Sequence, residues 1–278
     1  MKQEQKGFSL VELLVALLIG LVVTMAATQI FTANLRSSET QRVMTEVQES
    51  GRYALQMLAS DIRRAGTPRT DASLAEGNAG FIMDPIVFGV DGSQEGGANE
   101  ADNDQIAFRF FGVTDCEGES VLGATFDNPA LITNLYYIQQ NADGVNELFC
   151  RGDANPATDG AAMISGVDSF QIQYGLDRPM ELGESRLDRI AFAGRYVNAD
   201  EAALAGESVV SVRLALLVSA EVDNLPDLKN DQVFQVLDKQ LTNGQGALQE
   251  AKLRRLFMST VKLRNLPQQG VLPDDILI

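Results

Sequence analysis

Few residues in this sequence are of a type and spacing to do chemistry, and the most unusual of them is a carboxylate. Glu12 is the only charged side chain in residues 8–31, which read FSLVELLVALLIGLVVTMAATQIF. Ahead of that run, Lys2, Glu4 and Lys6 form a short polar lead that stops at Gly7, and Phe8 follows. An ionisable group at bilayer depth costs about 2.5–3.5 kcal/mol on insertion scales, so a partner for it is expected.

The second group is the cysteine pair, Cys116 and Cys150. In an oxidising compartment the two are expected to form one loop-closing disulfide; the alternative is two unpaired buried thiols. The third is acidic. Residues 91–104, DGSQEGGANEADND, hold enough oxygen ligands for calcium but lack the spacing of a defined calcium loop, so the expectation is a solvated, mobile surface. Asp115, Glu117 and Glu119, beside Cys116, read in the same way as loop charge.

Several classes of chemistry are disfavoured at once. The chain has no histidine, which removes the commonest general base and metal ligand together with every Ser-His or Cys-His pairing. It also has no phosphate-binding glycine loop, no G-x-S-x-G and no C-x-x-C. No catalytic residue, cofactor or metal site is therefore expected. A net charge of -16 argues against binding nucleic acid or anionic lipid.

The elements that must position these residues begin with a helix. Residues 8–31 at about 1.5 Å each extend roughly 36 Å, longer than a hydrocarbon core of about 30 Å. Lys2 and Lys6 place the N-terminus on the cytoplasmic side. The rival reading is a secretory signal cut near Thr24, Met25 and Ala26, which would leave Glu12 unpaired in its apolar region.

Helical spacing continues past a polar neck at residues 34–42. Val43, Val47, Gly51, Ala54, Leu58, Ile62 and Ala65 fall three and four apart, one stripe for packing on a sheet. Gly66 before Thr67 and Pro68 ends the helix near Ala65. Arg36, Arg42, Arg52, Arg63 and Arg64 lie on this extramembrane part, where they serve solubility or pair with acidic faces of neighbouring subunits. A helix so long has no place in a compact domain of this size, so half of it must find partners elsewhere.

From residue 67 the period changes from about 3.6 to 2. Residues 67–104 read as irregular apart from a strand-like 81–90, and alternation then marks strands around Ile106, Phe108 and Phe110. Residues 135–139 and 147–151 flank Asn141-Ala142-Asp143-Gly144, a hairpin signal. Phe170, Ile172 and Tyr174 alternate with Gln171 and Gln173; Val210, Val212, Leu214, Leu216 and Val218 alternate with Ser211 and Arg213. Residues 233–237 and 253–263 complete six to eight expected strands, mostly antiparallel, packed on the helix. The fold class is α+β.

The segment Lys6-Gly7-Phe8-Ser9-Leu10-Val11-Glu12 resembles the class III signal of the type IV pilin superfamily. That resemblance implies cleavage by prepilin peptidase between Gly7 and Phe8, then N-methylation of Phe8. The new ammonium on Phe8 would need a counter-charge in lipid, and Glu12 of a neighbouring subunit can supply it, setting axial register. Four later segments resemble the PilW family of minor pilins: residues 51–54 (GRYA), 61–66 (DIRRAG), 170–175 (FQIQYG) and 260–265 (TVKLRN). The chain departs from that family's pattern in having no tryptophan.

The resemblance implies a pilin-like fold: a leader at 1–7, a transmembrane half-helix at 8–31, a periplasmic half-helix at 32–66 and a β-rich head at 67–278. It implies a structural subunit held in the inner membrane and later in the pilus, which joins other minor pilins to prime assembly and sits at the filament tip. Implied partners are the major pilin, prepilin peptidase, the inner-membrane assembly platform and a large tip adhesin. Two other readings share the architecture: a J-type pseudopilin of a type II secretion system, and a membrane-anchored periplasmic binding module that never polymerises.

Overall fold

The computed structural model describes residues 9–66, 80–81, 103–155, 160–178, 192–205, 209–220, 231–248 and 252–263. The first element is a continuous helix, α1 (Leu10–Ile62), about 80 Å long at 1.5 Å per residue. Ser9 caps it: its side chain accepts a hydrogen bond from the Val11 N–H at 3.3 Å. Its apolar first half is exposed from Leu10 to Phe31, long and apolar enough to cross a membrane. The threonines there satisfy themselves within the helix: Thr24 donates to the Leu21 carbonyl at 2.9 Å and Thr28 to the Thr24 carbonyl at 2.8 Å.

The second half of α1 buries the expected stripe of Val43, Val47, Gly51, Ala54, Leu58 and Ile62, and Ala65 just beyond the helix is buried too. The α-helix stops three residues before Ala65 because its end tightens into i→i+3 bonds: Arg64 N–H to the Asp61 carbonyl at 2.9 Å and Ala65 N–H to the Ile62 carbonyl at 3.0 Å. Gly66, at φ 75, makes the left-handed turn out and donates its N–H to the Arg109 carbonyl at 3.0 Å.

The head is built from strands β1 (Gly80–Phe81), β2 (Ile106–Gly112), β3 (Ala130–Gln140), β4 (Asn146–Gly152), β5 (Ala161–Ser165), β6 (Val167–Asp177), β7 (Ala193–Val197), β8 (Val209–Ala220), β9 (Val233–Val236), β10 (Lys239–Thr242) and β11 (Leu253–Lys262). A short helix α2 (Ala199–Ala205) lies between β7 and β8. The strands form a five-stranded antiparallel meander, β1 to β5 in order, a four-stranded antiparallel sheet ordered β11-β8-β6-β7, and the hairpin of β9 and β10. Helix α1 packs on β11 and β8. One core joins the helix stripe to Phe108, Phe110 and Tyr136 of the meander and Phe170, Leu214 and Leu216 of the second sheet.

Eleven strands among the described residues exceed the expected six to eight; the additions are β5, β7 and β10, each of four or five residues and too short to show a period. Of the strand-like residues 81–90, only Phe81 lies within the described residues. The expected hairpin joins β3 to β4, with Gly144 at φ 78 and the Asn141 side-chain oxygen accepting from the N–H groups of Asp143 and Val145, both at 3.0 Å. Gln171, placed on the face of β6 away from the helix, is fully buried. On that side of the sheet the β9-β10 hairpin also covers Ala215 and Leu217 of β8.

Gly51 marks a close approach of helix to sheet. A Cβ there would collide with the Phe257 ring of β11, so the absent side chain lets α1 lie on the strand. Gly51→Leu is therefore expected to destabilise the head by about 2–3 kcal/mol through overpacking, against about 1 kcal/mol regained in helix propensity. In thermal melts of the detergent-solubilised chain, adding Phe257→Ala should restore part of the loss; additive losses would refute the contact.

Candidate functional site

The candidate site has two parts, one in the apolar half of α1 and one on the head. In the first, Glu12 occupies the first turn of α1 and is exposed, among side chains that all face outward. A first-turn carboxylate is favoured by the helix dipole, which offsets a fraction of its burial cost in lipid but supplies no counter-ion. Gly7 and Phe8 lie outside the described residues. Within a single chain, then, Glu12 points into the surroundings of the helix.

In the second part, Cys116 and Cys150 are bonded, as expected, with Cα atoms 6.3 Å apart. The bridge ties the loop after β2 to β4; with a sequence separation of 34 it contributes about 4 kcal/mol by loop-closure arithmetic. Asp115 is not solvated loop charge. It is buried, and its carboxylate accepts from the N–H groups of Glu117 and Glu119 at 3.0 Å and of Ala154 at 3.2 Å. Burial pushes its pKa above the ordinary carboxylate value, while those three N–H groups pull it back. Glu117 accepts the Gly152 N–H at 2.8 Å, and Gly152 has no side chain to block Asp115.

Asp104 departs from the expected solvated surface in the same way. It is buried and accepts the Ile172 N–H of β6 at 2.7 Å, while the neighbouring Asn103 accepts the Phe170 N–H at 2.8 Å. Residues 91–102 lie outside the described residues. Among the described residues, no three His, Cys, Asp or Glu side chains gather as metal ligands.

Sequence reasoning missed the centre of the second part, Asp61. It lies three positions after Leu58, so helical spacing alone puts it on the buried face. Its Oδ2 accepts from Asn134 Nδ2 at 2.7 Å and from the Tyr136 hydroxyl at 2.8 Å, and its Oδ1 accepts from Arg64 Nη1 at 2.8 Å. Burial first, and the Asp61 carboxylate second, hold the Tyr136 phenol well above its ordinary pKa, so it remains a donor. Arg64 lies over the Phe110 ring, 3.8 Å from its centroid, and donates to the Thr114 carbonyl at 3.0 Å. Asn134 Oδ1 accepts the Cys116 N–H at 3.2 Å, so the end of α1, strand β3 and the disulfide loop are locked together. Beside this network opens a groove of about 450 Å³, lined in part by Tyr53, Met57, Arg64, Cys116 and Met163.

The two carboxylates that line this groove, Asp61 and Asp115, each accept hydrogen bonds from the chain itself, and the arrangement holds the head to its helix. Residues 2–28 match the prokaryotic N-terminal methylation motif. That motif leads into a helix exposed along its apolar half and packed on a β-rich head along the other, the α+β arrangement expected of a pilin-like fold. Residues 135–265 match the family Type IV Pilus-assembly protein W. Among solved structures it is similar to the Type IV-like pilin TTHA1219 from Thermus thermophilus, at 12% identity and a TM-score of 0.36, over 80% of this chain and 96% of that one. No curated protein matches the chain.

Proposed function

We propose that the chain is a structural, non-enzymatic minor pilin. It is inserted in the inner membrane with its N-terminus cytoplasmic, cleaved by prepilin peptidase between Gly7 and Phe8, N-methylated on Phe8 and packed into a type IV pilus. There it joins other minor pilins to prime assembly and takes a place at the tip, with the major pilin below. The observation that carries this reading is Glu12, a lone carboxylate five positions after Gly7 on an outward-facing apolar helix. The ammonium that cleavage exposes on Phe8 of an adjoining subunit is the partner it needs. The head's match to a pilus-assembly family favours the pilus over a type II secretion pseudopilin.

Mass spectrometry of the mature protein tests the reading. The expected N-terminus is Phe8 carrying one added methyl group, with residues 1–7 absent. A mature chain that keeps those residues, or one that begins near Ala27, would falsify it.

A further inference from the structure

Among the described residues, the two most exposed large apolar side chains of the head sit on one loop. Residues 113–129, between β2 and β3, carry Leu122 and Phe126, which are 101% and 95% exposed. The loop is nonetheless ordered. Thr114 bridges Ser120, the Val121 N–H donates to the Val113 carbonyl at 3.1 Å and the Ala124 N–H to the Val121 carbonyl at 3.0 Å. Thr125 and Asn128 exchange backbone hydrogen bonds at 3.0 and 3.2 Å, and Cys116 bolts the base of the loop to β4. Two large apolar side chains held in water by so much structure mark a surface that is covered in use.

Position and charge narrow what covers it. The root of the loop is bonded to Arg64 at the far end of α1, roughly 45 Å along the helix from Phe31, beyond reach of the bilayer that holds the anchor. Residues 113–130 include Asp115, Glu117, Glu119 and Asp127 and neither lysine nor arginine, on a chain of net charge -16. A second copy would bring like charge against like charge. The adjoining groove, with Tyr53 59% exposed and Met57 and Met163 beside it, offers the same partner a concave neighbour to the projecting side chains.

We propose that loop 113–129 is a docking knob, and that Leu122 and Phe126 insert into an apolar pocket rimmed by lysine and arginine on the head of a neighbouring, different pilin-type subunit. The inference rests on the pilus reading. It assigns the head an interaction surface separate from the helix that packs in the filament.

The test mixes the full chain in detergent micelles with the purified heads of the other leader-bearing chains of the same organism, one at a time, and measures binding by interferometry. One head is expected to bind with a Kd of about 10 μM or tighter. Leu122→Ser with Phe126→Ser should weaken that by about 30-fold or more, both positions being open to solvent and neutral to folding. Val233→Ser, an exposed apolar site on β9, should stay within about twofold. Raising salt to about 0.5 M should weaken the wild type severalfold. The idea is overturned if no head binds, if the double variant binds as well as wild type, or if the two side chains instead mediate self-association in sedimentation or binding to phosphatidylcholine vesicles. Mass analysis of the same preparation separates the two claims. An N-terminus at methylated Phe8 with unaltered binding by the double variant removes the knob alone, whereas retained residues 1–7 remove the pilus reading and the knob with it.

Discussion

Glu12→Ala is expected to leave the protein in the membrane and to keep it out of fibres. Insertion improves, since the variant no longer carries a carboxylate costing about 2.5–3.5 kcal/mol at bilayer depth. On the proposed reading, incorporation suffers because the ammonium on Phe8 of the adjoining subunit loses its counter-charge in a medium without water. Breaking a buried ion pair by removing one partner costs about 3–5 kcal/mol, two to four orders of magnitude in an assembly equilibrium. Immunoblots of membrane fractions and of sheared fibres measure both quantities in one culture. Glu12→Gln separates charge from shape: it keeps the side chain's size and loses the charge, so it should fail as alanine does. Wild-type amounts of the alanine variant in sheared fibres would sink the ion pair and favour a membrane-anchored module that never polymerises.

The helix is legible in the sequence because its two halves obey two simple rules. Residues 8–31 satisfy a solvent constraint, and the stripe from Val43 to Ala65 satisfies a geometric one; neither depends on where the rest of the chain goes. Gly66 reads as the stop for a comparably local reason, since the left-handed turn there excludes most side chains. The hairpin at Asn141 is equally local, with its side chain closing on N–H groups two and four residues ahead.

What escapes reading depends on partners far away in sequence. Asp104 and Asp115 look like surface charge, yet each accepts N–H groups that β6 or the end of β4 brings to it. Nothing local distinguishes an acid that meets water from one that meets a backbone donor. Alternation puts Gln171 on the correct side of β6 but does not reveal its burial, because the β9-β10 hairpin closes over that side. The hairpin itself carries no turn signal: Leu237, not glycine or asparagine, takes the left-handed position at φ 56. The groove cannot be inferred at all, since α1, the disulfide loop and β5 meet only in the folded head.

Asp61→Ala is expected to cause a large loss of stability where α1 meets the head. An acid in the last turn of a helix is opposed by the helix dipole, at about 0.3–1 kcal/mol, so a stronger attraction must hold it there. Three donors closing on one carboxylate supply that attraction. Removing the acid strands the Asn134 amide and the Tyr136 hydroxyl, both fully enclosed, at about 1–3 kcal/mol each, and frees Arg64 from its partner. The expected sum is about 3–5 kcal/mol, which for a head of this size lowers Tm by roughly 10 °C. Tyr136→Phe removes one donor and leaves the acid its other two, so it should cost only about 1–1.5 kcal/mol. Combined with Asp61→Ala it should add little, since the hydroxyl is already stranded, giving a coupling of about 1 kcal/mol or more in a double-mutant cycle. Asn134 also accepts the Cys116 N–H, so the Asp61 variant should expose the disulfide to reductant faster than wild type. Thermal melts of the detergent-solubilised chain and timed thiol labelling measure the two effects. A loss below about 1 kcal/mol with unchanged labelling would show that the carboxylate is a passenger on the helix and that the apolar stripe alone joins helix to head.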